Sequence, residues 1–196
     1  AKRRLGYPRL VLYSRVDCYG YGNGLSSLAT IKKIGDRELN SYTEPKVIAE
    51  IGCNHKGDMA TAKELISLAK DTGVGIVKFQ KRTNKELLTE EQYNAPHPNP
   101  ANSYGATYGE HREFLEFDQA QHRELQEYCN SIDIEYSTSV WDVTSAREIA
   151  ELKPNFIKVP SACNNHFDML KVLRDEYKGQ VQISFGMTTQ AEEKQI

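Results

Sequence analysis

From Val47 onward the chain alternates two kinds of hydrophobic pattern. Short apolar runs (VIAEIG, GIVKFQ, IEYSTS, FIKVPSA, VQISFG) are separated by longer stretches whose apolar residues recur at helical spacing. In MATAKELISLAKDTG, Ala62, Leu65, Ile66 and Ala69 fall on one face, with Asp58 placed to cap the start and Gly73 the end. QAQHRELQEYCNS, WDVTSAREIAEL (capped by Asp142) and NHFDMLKVLRDEYKG read as helices too. Five β units with four intervening helices predict an α/β fold, a parallel sheet with the helices packed outside it. Near-continuous apolar strands are those expected to be covered on both faces.

In parallel sheets of this kind, open or closed into a barrel, ligands bind at the C-terminal ends of the strands. All five runs carry polar residues there: Glu50, Lys78 with Gln80, Ser137 with Thr138, Lys158 with Ser161, and Ser184. One such residue is ordinary; five at the same level are hard to explain by packing. Two stretches break the rhythm. Residues 84 to about 117 hold a Pro- and Asn-rich centre, NAPHPNPANSYG, and then YGEHREFLEF, whose aromatic and charged residues predict an ordered lid or rim. Residues 1–32 have another texture, basic and then Gly- and Tyr-rich, and form an N-terminal extension without an assigned role.

Charge narrows the function classes. With 25 basic and 27 acidic residues the net charge is -2, which leaves no electrostatic footprint for nucleic acid or an anionic membrane. No apolar run approaches the ~20 residues of a membrane span. The N-terminus is basic but lacks a long apolar core, so no signal peptide is expected. Cys18, Cys53, Cys129 and Cys163 are scattered and form no CxxC pair; reduced thiols in a cytoplasmic protein are the expected state. Cys163 is expected to be a buried small hydrophobe rather than a nucleophile, because no base is visibly paired with it.

Lys78 and Lys158 lie on two different strands among apolar neighbours. A lysine so placed must find an anion or lose its charge. With the hydroxyls of Thr138, Ser161 and Ser184 the two lysines outline a pocket for a phosphate and a carboxylate. Two other readings stay open: both lysines simply balance Glu50, or Lys158 is a Schiff-base lysine. Glu50 itself has three options: general acid/base, metal ligand or counter-ion. His55 is expected to hold the loop after its strand, and His111 either to reach over the site or to pack within the insertion. His97, His122 and His166 read as surface or helix positions. HExxH, P-loop, GxGxxG and nucleophile-elbow motifs are absent.

Taken together, IAEIGCNHKGD, VKFQK, TYGEHREFLEF, the ST of EYSTS, FIKVPSACNN and ISFGMTT resemble the sialic acid synthases, which make N-acetylneuraminic, legionaminic and pseudaminic acids. The resemblance runs from about Lys33, where KIGDREL is similar to a short hairpin before the first strand, to the end of the chain. It implies a TIM-type (β/α)8 barrel that condenses phosphoenolpyruvate with the open-chain aldehyde of an N-acetylated amino sugar such as N-acetylmannosamine. C3 of phosphoenolpyruvate attacks the aldehyde carbon, a divalent metal (Mn or Mg) polarises the aldehyde oxygen, water adds at C2, and phosphate leaves by C–O cleavage.

Carried over by position, the resemblance gives Lys78 and Thr138 the carboxylate of phosphoenolpyruvate and gives Lys158, Ser161 and Ser184 its phosphate. Glu50 is implied to sit by the reacting carbons and move a proton. The chain departs from the family pattern at FIKVPSACNN, where Pro160 and Ala162 flank Ser161 with one residue fewer than the commoner form, and at Phe185, which replaces a common Thr. It also ends at Ile196, before the later strands of such a barrel. The expectation is therefore residues 33–196 as the N-terminal part of the barrel, about five βα units, inactive alone, with metal ligands downstream and a homodimer at full length. A Schiff-base aldolase or another phosphoenolpyruvate-condensing barrel (of the 3-deoxy-ulosonate phosphate type), and a non-catalytic half-barrel used for binding, are the alternatives.

Overall fold

The computed structural model describes residues 32–34, 37–39, 46–186 and 188–196. Apart from Lys32, the N-terminal extension lies outside the described residues, as does Cys18. Strands β1 (Lys32–Ile34) and β2 (Arg37–Leu39) pair antiparallel, with Lys32 opposite Leu39 and Ile34 opposite Arg37, so KIGDREL is the hairpin expected of it.

Five further strands form one parallel sheet: β3 (Ile48–Gly52), β4 (Ile76–Lys81), β5 (Glu135–Val140), β6 (Phe156–Val159) and β7 (Gln180–Ile183). Their spatial order is their chain order, β3-β4-β5-β6-β7. Sequential order matters: when every crossover steps the same way with the usual right-handed connection, all helices land on one face. That is the winding of a β/α barrel wall and not of a doubly wound sheet, a choice the alternating pattern left open and the family resemblance favoured.

The four connecting helices are the four foreseen. Helix α1 (Met59–Asp71) starts where Asp58 accepts a hydrogen bond from the Thr61 amide at 2.7 Å, and stops before Gly73 at φ +81°. The segment between β4 and β5 holds the short helices α2 (Asn84–Leu87) and α3 (Glu90–Asn94), then α4 (Tyr108–Leu115), followed by α5 (Gln119–Ser131). Helix α6 (Val143–Leu152) is capped by Asp142, whose Oδ1 takes the Ser145 amide at 2.7 Å. Helix α7 (Phe167–Glu176) precedes β7, and α8 (Gln190–Glu193) follows it.

Strand alternation divides the sheet into two faces. On the helix-covered face, Ala49, Ile51, Val77, Phe79 and Tyr136 pack against Ile66 of α1 and Leu125 of α5. Ile157 and Val159 do the same against Ile149 of α6 and Leu173 of α7. Burying each of the Val, Ile, Leu and Phe side chains among these contributes about 1.5–3 kcal/mol, which secures this face. The opposite, open face carries only a small apolar floor of Ile48, Ile76 and Phe156 near the strand starts. Everything above that floor on the open face is polar, so packing does not account for it.

Candidate functional site

Register places the polar residues of the open face beside one another. Glu50, Lys78 and Ser137 are consecutive register partners on β3, β4 and β5. One step further along, Gln80, Ser139, Lys158 and Gln182 line up across β4 to β7. The β3–β4 register shifts between Glu50 and Gly52, where Gly52 adopts φ +57°. This bulge re-aims the end of β3, the common use of such an irregularity beside a functional group.

Both oxygens of Glu50 are engaged. Lys78 Nζ forms an ion pair with Oε2, and Gln80 Nε2 donates to Oε1 at 2.7 Å. Lys78 also donates to Ser139 Oγ at 3.1 Å. Lys158 is held differently: its Nζ donates to the Val159 carbonyl at 3.0 Å and to Ser184 Oγ, and among the described residues it has no ion-pair partner. Burial, and then the neighbouring Lys78, push the Lys158 ammonium down to about 8, with Glu50 opposing. Two ammonium groups thus share one carboxylate, an arrangement short of one negative charge.

The other expected residues divide. Ser184 sits at the end of β7, joined to Lys158. Ser161 opens the turn after β6, its Oγ so close to the Gly186 backbone that a Cβ there would lie 2.8 Å from it. Asn164 Nδ2 ties the same loop down by donating to the Ser184 carbonyl at 3.0 Å and to Thr188 Oγ1 at 2.7 Å. Glu50, Lys78, Lys158, Ser161 and Ser184 therefore share the open face or its rim. Thr138 does not. It is the register partner of Ile157 on the helix-covered face and is fully buried. The expected place for its hydroxyl beside Lys78 is corrected to Ser139, one residue on and on the opposite face.

A second tier escaped the sequence reading. Trp141 Nε1 donates to Gln80 Oε1 at 2.7 Å, and the Arg82 guanidinium lies 4.4 Å from the Trp141 ring centre. Arg82 in turn binds Glu116 Oε1 at 3.1 Å and Cys53 Sγ at 3.3 Å. Burial pushes the Glu116 carboxyl and the Cys53 thiol up, while the Arg82 guanidinium, although burial opposes its charge, is held above its ordinary value by Glu116. The signal in the sequence was Trp141, the single tryptophan, following directly on the polar end of β5.

The histidines do structural work. His55 is buried, stacks on Phe117 (ring centres 4.0 Å apart) and accepts from the Gly57 amide at 3.1 Å; burial pushes it down to about 4. His111 packs inside the insertion against His97 and Tyr104. His166 caps α7. His122 lies on α5 but is fully buried, with Nδ1 2.6 Å from Tyr136 Oη, and burial pushes it down to about 3. Cys163 is buried as expected, its thiol pushed up to about 11 by burial and by Asp142. Among the described residues no three His, Cys, Asp or Glu side chains come together. With both Glu50 oxygens already engaged, these residues do not make a divalent-cation site by themselves. A cavity of about 540 Å³ lies at the opposite end of the strands, beside Lys46, Gly75, Glu135 and Asn155, away from the lysine pair.

Residues 65–196 match the model of the NeuB family. N-acetylneuraminate-9-phosphate synthase of Homo sapiens is 38% identical over 155 residues, 76% of this chain and 41% of that protein. N,N'-diacetyllegionaminic acid synthase of Campylobacter jejuni is 30% identical over 146 residues, 74% of this chain and 43% of that protein. The chain thus spans about two-fifths of the length of these curated relatives. Among solved structures, an N-acetylneuraminic acid (sialic acid) synthetase from Leptospira borgpetersenii, in complex with citrate, superposes with a TM-score of 0.67 at 20% identity. That likeness covers 84% of this chain and 52% of the other and bears on the fold.

Proposed function

Because the chain belongs to the NeuB family, we propose that its open sheet face binds phosphoenolpyruvate and takes part in joining it to the aldehyde of an N-acetylated hexosamine. The product is a nonulosonic acid, with release of phosphate. The observation that carries this reading is the charge imbalance at the strand ends: Lys158 and Lys78 face one carboxylate, and the hydroxyls of Ser139 and Ser184 accept hydrogen bonds from them. Phosphoenolpyruvate brings a phosphate and a carboxylate, and those are the groups that paired ammoniums and hydroxyls bind in a partly desolvated pocket.

Lys158, Ser184 and Ser161 hold the phosphate in this reading, and Lys78 with Ser139 holds the carboxylate. Phosphate binding supplies the anionic partner that Lys158 lacks among the described residues. Glu50, fixed by Lys78 and Gln80, stands over the reacting carbons and transfers a proton as C3 bonds to the aldehyde carbon and water adds at C2. The tetrahedral carbon then expels phosphate by C–O cleavage, which Lys158 assists by stabilising the departing charge. The described residues do not by themselves form a cation site.

The sugar is N-acetylmannosamine, its 6-phosphate or a diacetamido hexose, the range suggested by relatives named for N-acetylneuraminate 9-phosphate and N,N'-diacetyllegionaminic acid. Phosphate release by the full-length gene product, supplied with phosphoenolpyruvate and each sugar in turn, tests the reading. Release that depends on one of them supports it, and no release with any overturns it.

One observation favours a second reading. A lysine titrating at about 8 is partly neutral near physiological pH, as an amine that forms a Schiff base must be. Borohydride treatment in the presence of pyruvate separates the two: a stable adduct on Lys158 supports the aldolase, and an unmodified lysine supports the condensation.

A further inference from the structure

The Trp141–Gln80 contact lies outside the groups that would touch phosphoenolpyruvate, yet it ends on the carboxylate that would move the proton. We propose that Trp141 is a positioning residue that sets the direction of Glu50 through the Gln80 amide, an inference that rests on the role given to Glu50 above. An indole N–H can only donate, so Trp141 admits only the oxygen end of the Gln80 amide. With Oε1 taken at 2.7 Å, the amide must turn Nε2 toward Glu50, where it donates to Oε1 at 2.7 Å. The flipped amide would set its oxygen against the carboxylate and leave the indole N–H without an acceptor. One donor on β5's exit thus fixes a carboxylate two strands away.

The ring that carries this N–H is itself clamped. Arg82 lies over it and is held by Glu116 just beyond α4, so the insertion after β4 reaches Glu50 through four contacts: Glu116 to Arg82, Arg82 to Trp141, Trp141 to Gln80, and Gln80 to Glu50. This gives the insertion a part in catalysis without reaching over the site.

The test separates the N–H from the ring. Trp141→Phe keeps an aromatic face under Arg82 and removes the donor together with the second ring of the indole. In the full-length gene product it is expected to lower kcat about tenfold, the effect of one buried hydrogen bond, and to leave the Kd for phosphoenolpyruvate within about twofold. Gln80→Ala is expected to lose at least as much, and the double variant no more than Gln80→Ala alone. Independent, multiplying losses, or an unchanged kcat in Trp141→Phe, would overturn the relay. A readout that needs no turnover accompanies this. The Trp141 indole N–H resonance, assigned by its disappearance in Trp141→Phe, is expected to shift in Gln80→Ala; an unmoved resonance would refute the contact. Wild-type protein that releases no phosphate with any sugar sinks the proposed reaction, while the indole resonance still decides the hydrogen bond.

Discussion

Glu50 and Lys78 are register partners on adjacent parallel strands, and their side chains close an ion pair over the apolar floor of the open face. The pair divides the lysines into two kinds. Lys78 is charge-matched, whereas Lys158, two strands away, makes hydrogen bonds and, among the described residues, no ion pair. That asymmetry orders the predictions that follow.

Anion binding is expected to weaken as pH rises through about 8, because Lys158 gives up its proton there in the free protein. A bound phosphate favours the ammonium, so binding near this pH takes up a proton. Titrating phosphoenolpyruvate between pH 7 and 10 in buffers of different ionisation heat measures both. Lys158→Arg, which stays charged, is expected to flatten the profile; an equally steep profile in that variant would assign the proton elsewhere.

Ser139 and Thr138 are adjacent in sequence and lie on opposite faces of β5. Ser139→Ala is expected to weaken phosphoenolpyruvate binding several-fold, roughly the 0.5–1.5 kcal/mol of one net hydrogen bond. Thr138→Val is expected to leave binding within about twofold and act, if at all, on the thermal midpoint. Parallel calorimetric titrations check this, and a larger effect from Thr138 would reverse the facing of β5.

Gly57 adopts φ +73°, and a Cβ there would lie 2.2 Å from the Phe114 carbonyl oxygen of α4. Gly57→Ala therefore combines backbone strain of about 1–2 kcal/mol with a clash that lifts α4 off the β3–α1 loop. Faster hydrogen exchange across residues 108–116, with the sheet still protected, is the expected signature. Uniform protection would show that α4 is seated by other contacts.

His55 and His122 are buried in neutral form, pushed down to about 4 and about 3. The unfolded chain binds their protons at about 6.5, so between there and the folded values the unfolded state holds more protons and stability falls as pH falls. Their contribution is complete above about 6.5 and is lost as pH drops through 4 and then 3. Thermal midpoints measured from pH 7 to pH 4 are expected to decline, and His55→Phe, which retains stacking on Phe117, to decline less steeply. An unchanged slope would move the acid sensitivity to other groups.

How much of this was legible depended on how local the cause was. Asp58, Asp142 and Gly73 marked helix ends within three or four residues of the groups they serve, and each does so. Even the insertion announced its helices: Thr89 with Gln92 and Thr107 with Glu110 are capping boxes readable from spacing. On β4 the faces were readable because Val77 and Phe79 alternate with Lys78 and Gln80. On β5 they were not, since Ser137, Thr138 and Ser139 are alike in polarity, and only the register against Lys78 and Ile157 decides which of them turn away. The same limit hid His122, which shares the buried face of α5 with Leu125 and Cys129. Contacts such as Gln80 to Trp141 and Arg82 to Glu116 join residues 61 and 34 positions apart, and no local pattern encodes them.

In the proposed reaction Lys158 is the phosphate-binding cation of the phosphoenolpyruvate site. Calorimetric titration of Lys158→Ala in the full-length gene product, with phosphoenolpyruvate and separately with N-acetylmannosamine, tests it most directly. Affinity for phosphoenolpyruvate is expected to fall by about tenfold or more, the effect of removing a charged hydrogen-bond donor, while affinity for the sugar changes little. Loss of sugar affinity with phosphoenolpyruvate binding intact would contradict it.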